Sequence, residues 1–406
     1  MLSLLRDNAP LRRLWAAGVV SQIGDWLSYV VVSLMALDLG SGAMSVALVL
    51  VAHTLPHALL APLGGVVADR FDRRSLVVIG ALARGVLTLG MVAAAWLGLL
   101  DLVLGLVFVR ASVGALVLPA QGALLPRLVA RRDLLTANKL LSGTWSVMFT
   151  VGMALGGLLA PLGAPIALAL DALTFLLAAG LLSGLPAQPA GERGPVRPLR
   201  DLVHAARVAR GDQRLLRAVL AKSPIALASG GAWVLLNLRA EEALLAAGAT
   251  LGLLHAARGV GTALGPLALG ERYASFDLLG FAGMAVFAWS GDLVVLVVAA
   301  LSWGVGTGAN WVGSTADLQT RAPDAVLGRL GALDGLAMTL AMSISALGGA
   351  ALADHAGAGV AGSVTVLAGA VAWVALWTNP GRWGALGAQR RLTAARFTMV
   401  AEPVVG

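Results

Sequence analysis

The 406-residue sequence contains no cysteine, which excludes disulfide bonds, thiol catalysis and thiolate metal sites. Charged residues are also scarce. They make up 12% of the chain, about half of the share in an average soluble protein, whereas hydrophobic residues make up 58%. A soluble fold has no core large enough to bury that much apolar surface. The composition therefore predicts a helical membrane protein that crosses the bilayer several times.

The sequence also lacks the short motifs that mark common catalytic sites. It has no Gly-x-x-x-x-Gly-Lys-Ser/Thr loop for ATP, no His-Glu-x-x-His zinc motif and no Gly-x-Ser-x-Gly nucleophile motif. We therefore expect that the protein is not an enzyme and needs no cofactor. Any work that it does must draw on an ion gradient or on the gradient of its substrate.

What the sequence has in abundance is apolar runs of the length that a membrane-spanning helix needs, about 20 residues. The N-terminal run follows Arg12 and Arg13 without a small-residue cleavage site, so we interpret it as a retained first span rather than a signal peptide. Polar or turn-forming breaks divide the apolar runs into twelve predicted spans. They cover residues 14–37, 44–67, 76–98, 102–123, 140–162, 165–184, 216–238, 246–269, 276–291, 293–316, 328–351 and 357–378.

The basic residues are concentrated in alternate connections between the predicted spans. If the N-terminus is cytoplasmic, almost every Lys and Arg outside the spans lies on the cytoplasmic side. The other side carries Arg239 and four aspartates, which are Asp38, Asp101, Asp292 and Asp354. This is the positive-inside pattern, and it explains the net charge of +8 without a nucleic-acid partner. It predicts a protein of the inner (plasma) membrane with both termini in the cytoplasm.

A polar segment rich in Pro, Gly and Arg divides the predicted spans six and six. We predict an N-terminal six-helix bundle over residues 1–184, a cytoplasmic linker over 185–215, a C-terminal bundle over 216–378 and a cytoplasmic tail over 379–406. The end of the linker has the pattern of a basic amphipathic helix on the inner membrane surface. Charged turns recur at corresponding places in the two halves, which is typical of transporters built from repeated bundles.

One of these turns stands between the second and third spans, where the six residues from Asp69 to Arg74 carry five charges. The positive-inside rule concerns Lys and Arg, so it does not explain an acid at this place. A carboxylate here could meet the positive end of a neighbouring helix. Because such a contact forms only when the two halves close together, we predict a breakable latch at the cytoplasmic side.

The stretch from Gly65 through Asp69-Arg70 to Arg73-Arg74 resembles the signature loop of the major facilitator superfamily, although Asp72 replaces the second glycine. The first span and the fourth-to-fifth region are similar to the branch of macrolide-efflux and siderophore-export proteins. The resemblance implies an all-α membrane protein with twelve transmembrane helices in two pseudo-symmetric six-helix bundles. It also implies a cytoplasmic gate in which Asp69 meets the start of the eleventh span. The gate residues would be Gly65, Asp69, Arg70, Arg73, Arg74 and Arg127.

Two charged residues within the predicted spans are candidates for proton coupling. Asp25 lies one turn before Tyr29 in the first span, and a charge inside the bilayer usually faces a cavity or a partner. Arg110 stands in a stretch similar to the family motif Leu-x-x-x-Arg-x-x-x-Gly, and this resemblance implies a part in coupling. A guanidinium stays protonated, so Arg110 would act by favouring the charged form of a nearby carboxylate. A purely structural role for either residue is the alternative.

The fifth span carries Gly152, Gly156 and Gly157 in a stretch that resembles the antiporter motif Gly-Pro-x-x-Gly-Gly. Met153 replaces the proline of that motif, which weakens the expectation of a kink and of antiport. Small residues at this spacing also allow close helix packing by themselves.

His53 and His57 share one face of the second span. No acidic third ligand is adjacent in the sequence, so we predict that they are packing residues and that the protein has no metal site.

Tryptophan is the most frequent aromatic residue, with eleven copies against two tyrosines. Trp303 is expected near the end of a span, where it would anchor the helix at the membrane interface. Other aromatic residues are expected to line an apolar substrate cavity with a few polar points. The candidate cavity residues are Trp26, Tyr29, Trp145, Asp171, Trp233, Asn237, Arg258, Asn310 and Trp311. Such a cavity suits an amphipathic or aromatic substrate better than a sugar or a small ion.

The sequence thus predicts a secondary active transporter that exports a lipophilic or amphipathic, drug-like small molecule by alternating access, in exchange for protons. Its expected partners are this molecule, protons and the lipid bilayer, and a monomer is favoured. A lysophospholipid flippase or a siderophore exporter on the same fold is one alternative. A transport-inactive membrane receptor or partner protein is another, because Met153 departs from the antiporter pattern.

Overall fold

The computed structural model of the chain describes residues 2–40, 42–187, 198–242, 247–268, 273–323 and 326–378. All regular structure in these ranges is helical. The predicted tail and residues 188–197 of the predicted linker lie outside the described residues, and so does the charged turn at Glu271 and Arg272.

The first part of the chain forms one short helix and six long ones. Their bounds are α1 Leu2–Asp7, α2 Ala9–Leu39, α3 Ala43–Arg70, α4 Arg73–Trp96, α5 Leu100–Leu128, α6 Leu134–Leu159 and α7 Ala164–Ser183. The second part begins with two helices of the linker region and continues with six more. Their bounds are α8 Pro198–Gly211, α9 Gln213–Leu220, α10 Ser223–Glu242, α11 Ala247–Leu264, α12 Phe276–Trp289, α13 Leu293–Arg321, α14 Leu327–Ala356 and α15 Ala358–Thr378.

Ten helical segments of the described chain are long and apolar enough to cross a membrane. They comprise α2 to α7, the continuous pair α9 and α10, and α13 to α15. The two predicted spans that are not among them, 246–269 and 276–291, correspond to α11 and α12. Helix α12 and the turn before it form a shorter apolar segment, Tyr273–Trp289. The protein is therefore an all-helical membrane protein with at least ten candidate spans in the described residues.

Aspartate and asparagine side chains begin several of these helices. Asn8 accepts a hydrogen bond from the backbone N–H of Leu11 at the start of α2, at 2.9 Å. Asp72 does the same for Ser75 at the start of α4, at 2.8 Å, and also accepts from the Ser75 hydroxyl. These caps satisfy backbone donors that have no partner within the helix. Asp72, which replaces the glycine of the family motif, thus caps the helix that follows the charged turn.

The long helices can be grouped by chain order into a first set, α2–α7, and a second set, α10–α15, which two closely packed helix pairs join. Within α2–α7 the main pairs are α2 with α6 and α7, α3 with α5, and α4 with α5 and α7. Within α10–α15 they are α10 with α14 and α15, and α13 with α11 and α12. The principal contacts between the two sets are those of α3 with α14 and of α6 with α11.

Helix α8 confirms the predicted helix at the end of the linker, but its apolar face covers protein rather than membrane. Ala205 and Ala209 are fully buried in a cluster with Leu215 of α9, Leu318 of α13 and Leu330 of α14. The helix ends at Gly211, and Asp212 then caps α9 by accepting from the backbone N–H of Arg214 at 2.8 Å. Helix α8 is therefore docked on the second set of helices.

The two ends of the molecule differ in charge and in closure. We call the end with the Asp69–Arg74 turn and α8 the basic end, and the opposite end the acidic end. At the acidic end, the carboxylate of Asp354 accepts hydrogen bonds from the backbone N–H groups of Ala43, at 2.8 Å, and Met44, at 3.2 Å. Because a carboxylate is stabilised by a helix N-terminus, this contact ties α14 to the start of α3.

The contact between α6 and α11 at the acidic end involves backbone. A Cβ atom placed on Gly157 would lie 2.3 Å from the carbonyl oxygen of Gly248 and 2.8 Å from the Cα of Gly252. Only glycine fits there, so the two helices touch through their main chains. Both helix pairs that join the two sets are therefore closed at the acidic end.

Candidate functional site

Four charged side chains from four helices meet inside the first set. Asp25 of α2 accepts hydrogen bonds from Arg84 of α4 at 2.6 and 2.7 Å. Asp171 of α7 accepts from Arg110 of α5 at 2.5 Å. Arg110 also lies 3.7 Å from Asp25, so it bridges the two carboxylates. The two positive and two negative charges balance one another in a place where a lone charge would be costly.

Neighbouring groups fix the geometry of this charge cluster. Arg110 donates to the hydroxyls of Ser28, at 3.1 Å, and Thr88, at 3.4 Å. The ring of Phe175 lies below both guanidinium groups, with its centroid 4.2 Å from Cζ of Arg84 and 5.7 Å from Cζ of Arg110. Helices α2 and α7 approach closely here, because a Cβ on Gly24 would lie 2.3 Å from Oδ1 of Asp171.

The two carboxylates differ in access. The Asp171 side chain is fully buried, whereas that of Asp25 is 16% exposed. The structure thus brings the two coupling candidates Asp25 and Arg110 together with the cavity candidate Asp171, and their part in coupling stays a prediction. Sequence reasoning assigned no role to Arg84, because a single arginine in an apolar helix carries no spacing that points to its partner.

An aromatic wall continues from Asp25 toward the second set. Trp26 packs edge-on against Phe149, with 4.7 Å between ring centroids, and against Trp145, with 6.1 Å. Trp145 of α6 stacks on Trp311 of α13 across the boundary between the two sets, at 6.4 Å. These two rings are 40% and 46% exposed. The boundary is therefore accessible at the level of Trp145 and Trp311, in contrast to the glycine contact at the acidic end.

A second group of rings surrounds Arg258 of α11. Its Cζ lies 3.8 Å from the ring centroid of Trp233, 4.9 Å from that of Trp303 and 4.8 Å from that of Phe149. Tyr29 packs against Trp233 with 5.8 Å between centroids. The rings come from α2, α6, α10 and α13, so this aromatic cage joins both sets of helices. The prediction that Trp303 anchors the membrane interface is wrong, because its side chain is completely buried against α10 and α11.

The two asparagines among the cavity candidates point into the second set. Asn237 is buried and donates to the carbonyl of Trp233 at 2.7 Å. Asn310 donates to both carboxylate oxygens of Asp277 at 2.9 Å and to the carbonyl of Ala221 at 3.0 Å. Asp277 is fully buried, and sequence reasoning missed it because it lies close to a predicted helix end.

A further ion pair lies between α14 and the turn that precedes α10. Lys222 donates to the carboxylate of Asp334, and its Nζ lies 5.2 Å from the ring centroid of Trp311. Both side chains are largely buried. His53 packs on Trp26 at 5.4 Å, as expected of a packing histidine. The described residues contain no group of three or more potential metal ligands.

At the basic end, the contacts of the predicted latch residues Asp69, Arg73 and Arg74 lie within the first set of helices. The Asp69 side chain is 55% exposed, and its ion pair in the described chain is with Arg73, at 3.8 Å. Arg73 is buried, and Arg74 donates to the carbonyl of Ser183 at the end of α7. A Cβ on Gly65 would meet nothing within 4 Å, and Arg70 and Arg127 are exposed. Within the part of the chain that the structure describes, Asp69 forms no hydrogen bond or ion pair with the start of α14.

The glycines of the fifth span bring three helices together. A Cβ on Gly152 would lie 2.7 Å from Cβ of Trp26, and one on Gly156 would lie 2.7 Å from Cβ of Val30. Gly157 faces the other way, toward α11. Met153 fills the space between the two sets and is completely buried. The glycines therefore allow α6 to pack closely against both α2 and α11.

Known proteins similar to this chain are transporters. Over residues 2–385 the chain matches the family described as transmembrane secretion effector. The uncharacterized MFS-type transporter YfiS of Bacillus subtilis (strain 168) is 29% identical over 185 residues, which are 45% of this chain and 44% of the relative. The chain thus aligns with under half of the length of that curated relative.

Solved structures of transporters have the same fold. The nucleoside transporter NupG is 14% identical and superposes with a TM-score of 0.71 over 91% of this chain and 98% of its own. A bacterial homolog of the human lysosomal transporter Spinster, in an inward-facing and unoccupied conformation, is 16% identical, with a TM-score of 0.61 over 94% and 97%. A POT family transporter in complex with 5-aminolevulinic acid is 10% identical, with a TM-score of 0.69 over 90% and 96%.

Identities this low show the fold alone, so the assignment depends on the family match over nearly the whole chain. The helical architecture, the buried charges and the family match agree with one another. The chain belongs to the transmembrane secretion effector family and is a multi-pass membrane transporter of the major facilitator superfamily.

Proposed function

We propose that the chain is a proton-coupled exporter of lipophilic or amphipathic small molecules. In this proposal twelve spans form two six-helix bundles, residues 1–184 and 216–378, which rock against each other. The charge cluster of Asp25, Arg84, Arg110 and Asp171 carries the proposal. Its partly accessible carboxylate, Asp25, lies next to Trp26, which begins the aromatic wall toward the second set of helices.

The observed conformation supports alternating access. The contacts of α3 with α14 and of α6 with α11 close the acidic end, whereas Asp69 is exposed at the basic end and Trp145 and Trp311 are accessible. The distribution of Lys and Arg favours a cytoplasmic basic end. With that orientation the conformation faces inward. In the opposite state Asp69 would reach the start of α14, and Asp354 would leave the start of α3.

Proton exchange would act through the charge balance of the cluster. With both carboxylates ionised, each guanidinium has a counter-charge. A proton on Asp25 removes one negative charge, so that Arg84 loses the carboxylate at 2.6 Å and the cluster becomes positive by one unit. Because these residues lie on α2, α4, α5 and α7, protonation would change the attraction among four helices at once. Of the two carboxylates, Asp25 is the one with accessible surface through which a proton could arrive, since Asp171 has none.

Transport by everted membrane vesicles from expressing cells tests this proposal. The probes are ethidium (cationic), N-phenyl-1-naphthylamine (neutral) and 1-naphthoate (anionic), each offered with and without an acidic vesicle interior. We expect at least one probe to accumulate in a manner that requires both the protein and the pH gradient. Asp25→Asn should remove most of the pH dependence, whereas the exposed Asp101→Asn at the acidic end should leave it unchanged.

Two outcomes would contradict the proposal. Accumulation that ignores the pH gradient would refute proton exchange and leave transport by another driving force. No accumulation of any probe by protein that is present in the membrane would favour the receptor or partner alternative.

A further inference from the structure

Arg258 is a buried cation without a carboxylate partner. The residue is 6% exposed. No acidic group in the described chain forms an ion pair with it. Ring faces of Trp233, Trp303 and Phe149 surround it instead. A ring attracts the cation but does not act as the oxygen acceptor that a guanidinium N–H requires. The site therefore offsets part of the charge and leaves hydrogen-bond donors unused.

Other polar atoms at this place are also without partners. Nε of Arg258 is buried and makes no hydrogen bond in the described structure, and the same holds for both ring nitrogens of His255. These residues stand three positions apart on α11, so they share a face of the helix. The His255 ring lies 5.2 Å from Trp233, the ring closest to Arg258. Because buried polar groups in folded proteins are nearly always paired, this cluster calls for a polar ligand.

The charges of the described spans show what sign the ligand must have. Asp25 and Asp171 balance Arg84 and Arg110, and Lys222 is paired with Asp334. The remaining buried acid, Asp277, is bonded to Asn310 and not to a cation. Of the four cations that the described chain buries, Arg73, Arg110 and Lys222 each have an acidic partner, and Arg258 has none. A ligand that carries one negative charge would neutralise it, and a cationic ligand would be repelled.

The position of Arg258 allows the movement of the two sets to uncover it. It lies about 16 Å along α11 from the helix start at the closed acidic end. The next residue, Gly259, packs so tightly on α6 that a Cβ would lie 2.2 Å from Oγ1 of Thr150. Phe149 of α6 covers Arg258 from the same side. Any separation of α6 from α11 therefore moves Phe149 away from Arg258 and uncovers the guanidinium on that side.

We propose that Arg258 binds the anionic group of an amphipathic monoanion, with a carboxylate as the preferred group, while the aromatic cage holds the apolar body. This inference deepens the proposed function and rests on it, because it names the charge class of the transported molecule. A planar guanidinium matches a carboxylate with two parallel hydrogen bonds. In surroundings of low dielectric constant this attraction is far stronger than in water.

Binding to the full chain purified in detergent tests the inference, and calorimetric titration provides the dissociation constant. The probes share one ring system and differ in charge: 1-naphthoate, uncharged 1-naphthamide and 1-naphthylmethylammonium. We expect the wild-type chain to bind naphthoate at least tenfold more tightly than the other two. Arg258→Gln should reduce this preference to less than twofold. Arg258→Lys keeps the positive charge but loses the planar guanidinium that donates two parallel hydrogen bonds. It should bind naphthoate several-fold more weakly and still prefer naphthoate over the other two probes.

Arg210→Gln is the matched control. It removes one arginine from the exposed surface of α8 and should not change the binding of any probe. Competition of naphthoate with lysophosphatidylglycerol identifies the source of the anion, with zwitterionic lysophosphatidylcholine as the comparison. Displacement by the anionic lipid alone would indicate a lipid headgroup, and displacement by neither would indicate a free organic acid. Both results agree with a monoanion site.

The inference is overturned if the wild-type chain binds the ammonium or the amide probe as tightly as naphthoate. It is also overturned if Arg258→Gln keeps the full preference. Binding requires no gradient, so a chain that prefers naphthoate but moves nothing would refute the proposed function alone. Proton-driven accumulation of ethidium without any binding of naphthoate would refute this inference alone.

Discussion

The two sets of helices bury arginine in opposite ways. In the first set, Arg84 and Arg110 lie against Asp25 and Asp171 at distances of 2.5 to 2.7 Å. In the second set, Arg258 lies against ring faces at 3.8 to 4.9 Å. The first arrangement is electrically complete, whereas the second leaves a charge that only a further anion can neutralise. The comparison separates the cluster that we propose for proton exchange from the residue that we propose for ligand binding.

The same physical constraint underlies both arrangements. An ionised group in the membrane interior needs a partner or access to water. Two carboxylates provide this to the first set at all times, so the cluster also joins four helices. The aromatic cage provides it only in part, which is acceptable if the site is filled during each transport cycle. Loss of a partner should therefore harm the first set far more than loss of the cation harms the second.

The largest effect is expected from Asp171→Ala. This change leaves the fully buried Arg110 without its nearest counter-charge, and removal of one member of a buried ion pair costs about 3–5 kcal/mol. We expect a strongly reduced melting temperature of the purified protein and poor accumulation in the membrane. The double variant Arg110→Met with Asp171→Leu removes both charges and should recover most of the loss. A double variant as unstable as Asp171→Ala would show that Arg110 and Asp171 stabilise the fold by more than mutual charge neutralisation.

An intermediate effect, on turnover rather than on stability, is expected from Asp69→Asn. Its side chain is 55% exposed in the conformation described, so the melting temperature should stay within a degree or two of the wild-type value. If Asp69 closes the basic end in the other state, the rate of probe transport should fall by roughly tenfold, equivalent to about 1.4 kcal/mol. Asp101→Asn, another aspartate in a helix-end position, is the control. Normal turnover of Asp69→Asn would remove the latch from the mechanism.

A much smaller loss of stability than that of Asp171→Ala is expected from Arg258→Met. The variant loses cation–π attraction, which is worth about 2 kcal/mol or more when desolvated, but it also no longer buries an unpaired charge. Because the two contributions oppose each other and methionine has a similar length, the melting temperature should change by much less than in Asp171→Ala. A large decrease would mean that Arg258 is a structural residue, and the contrast between the two sets would then fail.

The sequence predicted the helices well, because apolar length and breaks are local properties. Polar pairs were harder to predict. Arg84 and Asp25 lie 59 positions apart, and no sequence pattern predicts that their side chains are in contact. Asp277 was missed because it lies close to the end of a predicted span, where an acid is expected at the membrane surface. Trp303 was misplaced, because a tryptophan near a predicted span end can face lipid or neighbouring helices, and only packing decides between them. The latch stays a prediction, since it belongs to a state other than the one described.

The contact of Gly157 with Gly248 and Gly252 has a mechanical consequence. Side chains at a helix–helix contact can change rotamer one at a time. A contact between main-chain atoms has no side-chain rotamer to change. Helices α6 and α11 can therefore separate only as rigid bodies, by tilting or sliding. The acidic end of this protein should therefore open in one concerted step, and the glycines at this contact determine how far apart α6 and α11 stand when it is closed.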